Sequence, residues 1–379
     1  MSEKRQTSSI KILSGAIGDY PIQLELVPKR LVVSVYQQDL MGKGSRIPCW
    51  IFITQGMSTL KQKEFVLVLR LAQNEDGKTF PKAPLQLFMF LFKAVLQKKR
   101  FHIGDVTRLG EKGLMGFWGL GYTHELLNDR QLKLPKHYLT CMLLNKEELM
   151  AAQLFGLTRV LARMGYEINR FPVSPWNDRE RKGVPMQGVI RNSEFKDIKT
   201  LPLKQCSVNL VGGDKVVLLL VPAMHSAIAN FVKQQAAASQ LAFTTQLLSY
   251  HEGALVWLPE KDLIEMNLHP DANGDLIAGS FITFARAEQS GAKMMEDGFH
   301  LQLDQEGWQA VQNAILRKQN ISIAAANGDM TFSLVWNTTA NPEIMSGLNV
   351  TGGADEGGEV VGGSGAGWLG KLKSVFKRE

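Results

Sequence analysis

Metal and nucleophile chemistry both need side chains at set spacings, and the reactive residues of this chain are dispersed. Its seven histidines are His102, His124, His137, His225, His251, His269 and His300. They form no HExxH pair and no i, i+4 pair, and none flanks a cysteine at ligand spacing. Cys49, Cys141 and Cys206 are far apart and odd in number, with no CxxC. That pattern argues against a structural zinc, a redox pair or a disulfide framework. Cys49 and Cys141 lie in apolar runs as small buried hydrophobes. The serine elbow GxSxG is absent, and GGSGAG at Gly362–Gly367 misses its last glycine. Ser249 and His251 would share one face of a strand without forming a dyad. Gly110–Gly121, GEKGLMGFWGLG, has neither glycine order of a phosphate loop nor a clear helix behind it. It reads as a loop with Phe117 and Trp118 folded inward. Arg179, Arg181 and Lys182 would suit phosphate or nucleic acid, but Asp178 and Glu180 alternate with them. A solvated loop is the expectation there, with no nucleic-acid partner. No constellation demands an enzyme, and no cofactor or metal is expected. A site assembled from distant residues stays open, because such sites are recognised by geometry rather than order.

The elements that would carry these residues alternate between strand and helix patterns. Pro48–Ala72 holds two short apolar runs, Trp50–Thr54 and Phe65–Leu71, joined around Gly56. It reads as a half-buried hairpin and the nucleus of a core, with Leu31–Val35 as a strand before it. Leu85–Leu96 follows, started by Pro84, with Gln86, Lys93 and Gln97 along one wet side. At that length it is a buried helix and not a membrane span. His137–Leu144 reads as a strand. Lys146–Met164 reads as one helix, capped by Asn145 with Glu148 at its third position and stopped by Gly165. Met150, Leu154, Leu157, Leu161 and Met164 would form one continuous apolar face. Glu147 and Glu148 then belong to the first turn, where the helix dipole explains them. Asn169–Gly188 is irregular, interrupted by Pro172, Pro175 and Pro185.

A second lobe is expected from Thr200. Ser207–Val211 and Lys215–Val221 flank Gly212-Gly213-Asp214, a hairpin signal. Met224–Ala237 is amphipathic, and strand-like runs follow at Leu241–Leu248, Gly253–Trp257, Ser280–Ala287 and His300–Leu303. Asp304 would cap a helix to Arg317 with Trp308, Val311 and Ile315 inward. Asn327-Gly328 would turn a last hairpin between Ile321–Ala326 and Met330–Trp336. The fold class is α+β: two lobes of mainly antiparallel sheet with packed helices. The expected division is 1–199 and 200–337, a Gly-rich linker at 338–366 and a basic amphipathic helix at 367–379. In that helix Trp368, Leu369, Leu372, Val375 and Phe376 share a face, and Lys371, Lys373, Lys377 and Arg378 lie off it. That is a tether design for an anionic membrane surface or a partner's groove.

Hydrophobic residues make up 45% of the 379 and charged residues 21%, which is a soluble globular composition. The net charge of +7 suits an acidic partner without proving one. MSEKRQTSSIK at the start has no apolar region of a signal peptide. A reducing cytoplasm, with peripheral attachment at the inner face of a membrane, is the expected location.

Four spans together resemble a known module. They are Pro48–Leu71, LPKHYLTCMLLNKEE (Leu134–Glu148), RVLARMGYEINRFPVSP (Arg159–Pro175) and GSFITFA to EDGFHLQL (Gly279–Leu303). In this order, over residues 45–320, they resemble the C-terminal domain of the Smad anchor for receptor activation and endofin family. More distantly, TQGMSTLKQKEFVLVLRL, EGALVWLP and GSFITF resemble the suppressor-of-fused family. The resemblance implies a two-lobed, non-enzymatic binder of a protein or peptide held between the lobes. Through bacterial relatives it also implies an alternative, an immunity protein that neutralises a toxin. The FYVE zinc finger of the endosomal proteins needs many cysteines, and the three here cannot build one. Lipid targeting through that finger is therefore not implied.

Overall fold

The computed structural model describes residues 10–14, 20–42, 44–110, 113–246, 251–324 and 330–338. The chain divides into two units, one taking in Met1–Leu149 with Ser174–Gly183, the other Met150–Val173 with Val184–Glu379.

The first unit is built on eight strands: β1 (Lys11–Ser14), β2 (Ile22–Val27), β3 (Leu31–Met41), β4 (Arg46–Gln55), β5 (Glu64–Arg70), β6 (Val106–Arg108), β7 (Gly119–Thr123) and β8 (Tyr138–Leu144). They form one sheet in the order β1-β2-β3-β4-β5-β8-β7-β6, antiparallel except where β5 meets β8. The anticipated hairpin is its centre, with β4 and β5 paired from Cys49↔Arg70 to Ile53↔Val66. Strand alternation sends Trp50, Phe52, Phe65, Leu67 and Leu69 to one face. There they pack with Leu85, Phe88, Leu91, Phe92 and Val95 of helix α1 (Ala83–Leu96). Cys49, Ile51, Ile53, Val66 and Val68 go to the other face, against Tyr36, Leu40 and Tyr138. Both faces are covered, which is why these strands read as unbroken apolar runs. Burial of each large side chain contributes about 1.5–3 kcal/mol. The turn is held by the buried Glu64 carboxylate, which accepts from the Thr54 hydroxyl (2.8 Å) and the backbone N–H groups of Gly56, Met57 and Ser58 (3.0, 3.2 and 2.9 Å). Gly56 adopts φ +119°, and a Cβ there would lie 2.0 Å from the Arg30 carbonyl.

Helix α2 (Lys146–Phe155) carries the chain out of this unit. The second unit follows with α3 (Leu157–Glu167), α4 (Gln187–Asn192), β9 (Thr200–Pro202), β10 (Ser207–Val211), β11 (Lys215–Leu220), α5 (His225–Gln234), β12 (Gln240–Thr244), β13 (Gly253–Leu258), β14 (Leu263–Leu268), β15 (Leu276–Gly279), β16 (Phe281–Arg286), β17 (Gly291–Met295), β18 (Gly298–Leu303), α6 (Gln305–Arg317), β19 (Ile321–Ala324) and β20 (Thr331–Trp336). Two sheets result, β14-β13-β15-β10-β11-β20-β19 and β17-β18-β16-β12-β9, mixed but with antiparallel pairs in the majority. Side chains of both, with α5 and α6, fill one core that includes Leu218, Phe243, Phe284, Trp308 and Phe332. The β10–β11 hairpin turns on Gly212 (φ +60°) and Gly213 (φ +84°), as its sequence predicts. The α6 cap is also as expected, with the Asp304 carboxylate accepting from Gly307 N at 2.7 Å. The fold is α+β.

Three expectations differ from what is observed. The helix anticipated over Lys146–Met164 is two helices, because Gly156 takes φ +93° and ψ 154° and interrupts the hydrogen-bond ladder. Met150 and Leu154 are consequently exposed, whereas Leu157, Leu161 and Met164 are buried, and the single apolar face does not exist. Gly165 does not end the helix. It lies inside α3, where a Cβ would come within 2.3 Å of the Pro172 carbonyl oxygen, so only glycine fits. The division between units lies inside α2 and not near Thr200, and Ser174–Gly183 returns to the first unit. The expected turn at Asn327-Gly328 lies outside the described residues, although β19 and β20 pair antiparallel as anticipated. So do the linker beyond Thr338 and the whole 367–379 helix, including Trp368, Leu369, Lys371, Leu372, Lys373, Val375, Phe376, Lys377 and Arg378.

Candidate interaction site

The charged segment expected to be solvated is bound into the first unit's sheet. Asn177 is buried, accepts from Leu143 N (2.6 Å) and donates to the carbonyls of Val68 and Cys141 (3.0 Å each). It therefore ties β5 to β8 across their short parallel pairing. Arg181 grips the Glu148 carboxylate with both Nη atoms (2.5 and 2.7 Å) and donates to the Leu143 carbonyl (2.9 Å). Arg179 does the same to Glu75, at 2.6 Å from Nη1 and again through Nη2, with Nη2 also on the Arg70 carbonyl (3.0 Å). Burial works to raise the Glu75 carboxyl, and the guanidinium overrides it, holding the group below the usual carboxylate range. Two of the three cations that suggested phosphate are thus committed inside the fold, and Lys182 alone is exposed. Alternating charges signalled solvent, but each arginine had a carboxylate waiting far away in sequence.

Sequence reasoning missed the densest charge cluster, in the second unit. Arg159 on α3 is 3% exposed. Its Nε donates to both oxygens of Asp297 (2.7 and 3.0 Å), and Nη1 to Ser193 Oγ (3.2 Å). Nη2 donates to Asp297 (2.5 Å) and to Glu296. The rings of Phe155, Phe281, Trp257 and Phe195 lie 4.8–5.8 Å from the guanidinium carbon. Desolvation alone would lower the Arg159 pKa; Asp297 and Glu296 overcome it and the net direction is upward. One helical turn on, Arg163 donates to Glu167 (2.9 Å), Glu260 (2.6 Å) and the Trp257 carbonyl (3.1 Å). The signal available was two arginines at i, i+4 on a helix rich in leucine, whose charges had to be answered somewhere.

Of the other reactive side chains, the three cysteines, His124 and His251 are buried, His225 and His300 are half-buried, and His102, His137 and His269 are exposed. Burial pushes the Cys49 and Cys206 thiols up to about 12 and Cys141 higher still, so none is a ready thiolate. His124 is buried against Thr123 Oγ1 (3.1 Å), His251 pairs through Nε2 with Asn209 Oδ1, and His225 Nε2 faces the Ile315 carbonyl at 3.1 Å. Ser249 lies outside the described residues. Among the described residues no three His, Cys, Asp or Glu side chains are grouped to hold a metal, and no helix is long and apolar enough to cross a membrane. Among the described residues an open concavity of about 690 Å3 lies in the second unit, lined by Pro222, Lys318, Gln319, Asn320, Trp336, Asn337 and Thr338. α6 delivers its first residues as it ends at Lys318 in the left-handed region, and β20 delivers Trp336. Asn320 Oδ1 accepts from Trp336 N (2.8 Å), which joins the two sides. These residues come from three distant stretches, and nothing in their local pattern marks them.

The pocket thus presents amides and a lysine beside a half-buried indole whose N–H is buried. The chain belongs to the Smad anchor for receptor activation-like, C-terminal family, whose model matches residues 134–342. It is similar to zinc finger FYVE domain-containing protein 9 of Homo sapiens, 24% identical over 306 residues, 74% of this chain and 21% of that protein. It is also similar to zinc finger FYVE domain-containing protein 16 of Mus musculus, 31% identical over 147 residues, 37% of this chain and 9% of that protein. The chain therefore spans only a small part of either relative's length. Among solved structures, Drosophila Suppressor of Fused is matched with TM-score 0.33 and 10% identity, over 80% of this chain and 88% of that one. A putative Suppressor of Fused homolog from Neisseria gonorrhoeae is matched with TM-score 0.32 and 11% identity, over 47% and 88%. Likenesses at this level say nothing about what the chain binds.

Proposed function

We propose that this chain is a non-enzymatic adaptor that binds a protein or peptide partner. The observation that carries the reading is the division of labour within the family-matched region. Arg159, Arg163, Cys141 and Cys206 are closed inside the fold, while the open pocket offers amides and a lysine beside the half-buried Trp336 ring. Such groups read peptide backbone and polar side chains without transforming them. Gln319 and Thr338 are exposed at its rim, so Gln319→Lys with Thr338→Lys fills it with charge and leaves the core alone. The paired variant is expected to lose a partner that the wild-type chain captures by affinity. An unchanged set of captured proteins would remove the pocket from the reading.

The second part of the proposal is recruitment to the inner face of a membrane by Trp368, Leu369, Leu372, Val375 and Phe376, with Lys371, Lys373, Lys377 and Arg378 beside them. Large apolar residues contribute at most about 1.5–3 kcal/mol each, and each nearby cation about 1 kcal/mol at an anionic surface. The sum describes reversible, peripheral attachment. Deleting Gly367–Glu379 should reduce sedimentation with anionic vesicles and leave the melting temperature unchanged. Equal sedimentation without the segment would dismiss this part.

A further inference from the structure

The first unit brings cations that form no ion pair among the described residues to the same corner as an exposed apolar helix face. Phe90 and Leu96 of α1 are 47% and 42% exposed, and neither is sunk in the core that takes Leu91, Phe92 and Val95. Lys93 lies between them on the same outward side. Just past the helix come Lys98, Lys99 and Arg100, and the fold brings Lys61 and Lys63 to meet them. The link is a pair of hydrogen bonds between buried residues. Gln62 Nε2 donates to the Phe101 carbonyl (3.0 Å), and Phe101 N donates to Gln62 Oε1 (2.9 Å). Gln62 turns inward, so its neighbours Lys61 and Lys63 turn outward and are exposed. Lys99 Nζ lies 5.1 Å from the Phe101 ring centre.

No carboxylate answers these charges nearby in the chain. None occurs between Lys78 and Gly104 or between Gln55 and Lys63. Glu64, the next in sequence, is buried and occupied with the turn at Gly56. We propose that this corner of the first unit binds an anionic lipid surface, with Phe90 and Leu96 entering the headgroup region and the lysines meeting the surface charge. Five of the six cations are lysines, flexible point charges suited to a diffuse anionic surface; the fork geometry that reads a particular carboxylate belongs to arginine. The one arginine already places Nη1 on the carbonyls of Val95 and Lys99 (3.2 and 3.1 Å). An acidic protein would be read by donors held in fixed geometry, and half-exposed aromatic and aliphatic side chains flanked by Lys93 on the helix and by Lys98 and Lys99 past its end favour lipid.

This site is separate from the pocket in the second unit and does not need the 367–379 segment, so its test is arranged to distinguish them. The full chain is floated with phosphatidylcholine vesicles and with the same vesicles doped with phosphatidylserine. Lys61 and Lys98 both have positive φ (59° and 67°), so they are changed to Asn, which tolerates that region. Each lysine is worth about fivefold at an anionic surface, so Lys61→Asn with Lys98→Asn should weaken binding about 25-fold. Phe90→Gln should weaken it by roughly tenfold, and Lys61→Arg with Lys98→Arg should bind as wild type. The same drops are expected in a chain carrying Trp368→Ser and Phe376→Ser. Flotation of the Asn pair at the wild-type level would overturn the proposal. So would complete loss of flotation from the Trp368 and Phe376 changes alone, an outcome that would support the tail instead. Binding to soluble polyglutamate but not to vesicles would overturn it in favour of an acidic protein.

Discussion

Replacing Arg159 by methionine keeps the length and apolar stem of the side chain and removes its charge. What it leaves behind sets the size of the effect. Asp297 and Glu296 have side chains 2% and 7% exposed, and between them they accept four of the five hydrogen bonds that Arg159 donates. Without the guanidinium, two carboxylates stand in a low-dielectric site walled by Phe155, Phe195, Trp257 and Phe281. Breaking a buried pair by removing one partner costs about 3–5 kcal/mol, because the remaining charge keeps its desolvation penalty. Ser193 Oγ and Glu194 N still donate to Glu296 (2.8 and 2.7 Å), which favours the lower half of that range. Arg159→Lys keeps a charge but loses the fork, so it should fall between. Arg159→Met combined with Asp297→Asn and Glu296→Gln should recover much of the loss, since no uncompensated charge remains. The assay is hydrogen exchange of the β16 and β18 amides with a urea titration on the same proteins, since two units need not unfold in one step. If Arg159→Met exchanges and unfolds within about 1 kcal/mol of the wild type, water reaches those carboxylates and the account of a closed charge cluster is wrong.

Two further expectations follow from burial and backbone geometry. His124 is 5% exposed, and burial lowers its pKa from 6.5 to about 4, with Lys63 assisting and Glu125 opposing. An unfolded chain takes up that proton near pH 6.5 and the folded one only near 4. Stability should therefore fall as the pH drops from 6.5 towards 4, by up to about 3 kcal/mol. His124→Gln should flatten that slope in urea midpoints measured across the window, and an equally steep slope in the variant would exclude His124 as its source. Gly156→Ala and Gly165→Ala should both lower the melting temperature, for different reasons. At Gly156 the space is open, with Thr244 Cβ 3.6 Å away, and the cost of roughly 1–3 kcal/mol is backbone strain at φ +93°. At Gly165 the new methyl would overlap the Pro172 and Arg170 carbonyls at 2.3 and 2.5 Å, so that variant should lose more; the reverse order would contradict this explanation.

Legibility followed the range of the interaction. The β4–β5 hairpin, α1, the β10–β11 turn and the Asp304 cap rest on contacts between residues close in sequence, and their patterns announced them. The break at Gly156 was hidden because Met150, Leu154, Leu157 and Leu161 keep helical spacing on both sides of it. Periodicity cannot register a change of axis. The Arg159 cluster and the pocket were hidden for another reason, since their members are joined only by the fold: Glu296 and Asp297 come from the β17–β18 turn, and Pro222 and Trp336 stand far apart in the chain.

The segment most clearly misread is also the most informative about the family. The family match begins at Leu134, late in the first unit, and runs through the second. From the first unit it takes β8, the start of α2 and Ser174–Gly183. Those are the pieces that Asn177 and Arg181 fasten together, through the Cys141 carbonyl, Leu143 and the Glu148 carboxylate. Asn177 also reaches outside the match, to Val68 on β5, where it supplements only three residue pairs of parallel ladder. A parallel pairing that short gives few backbone bonds, and the amide of one buried side chain adds to both of its strands. The charged segment is thus a clasp holding the matched strand to the remaining sheet, and its arginines are spent on that task.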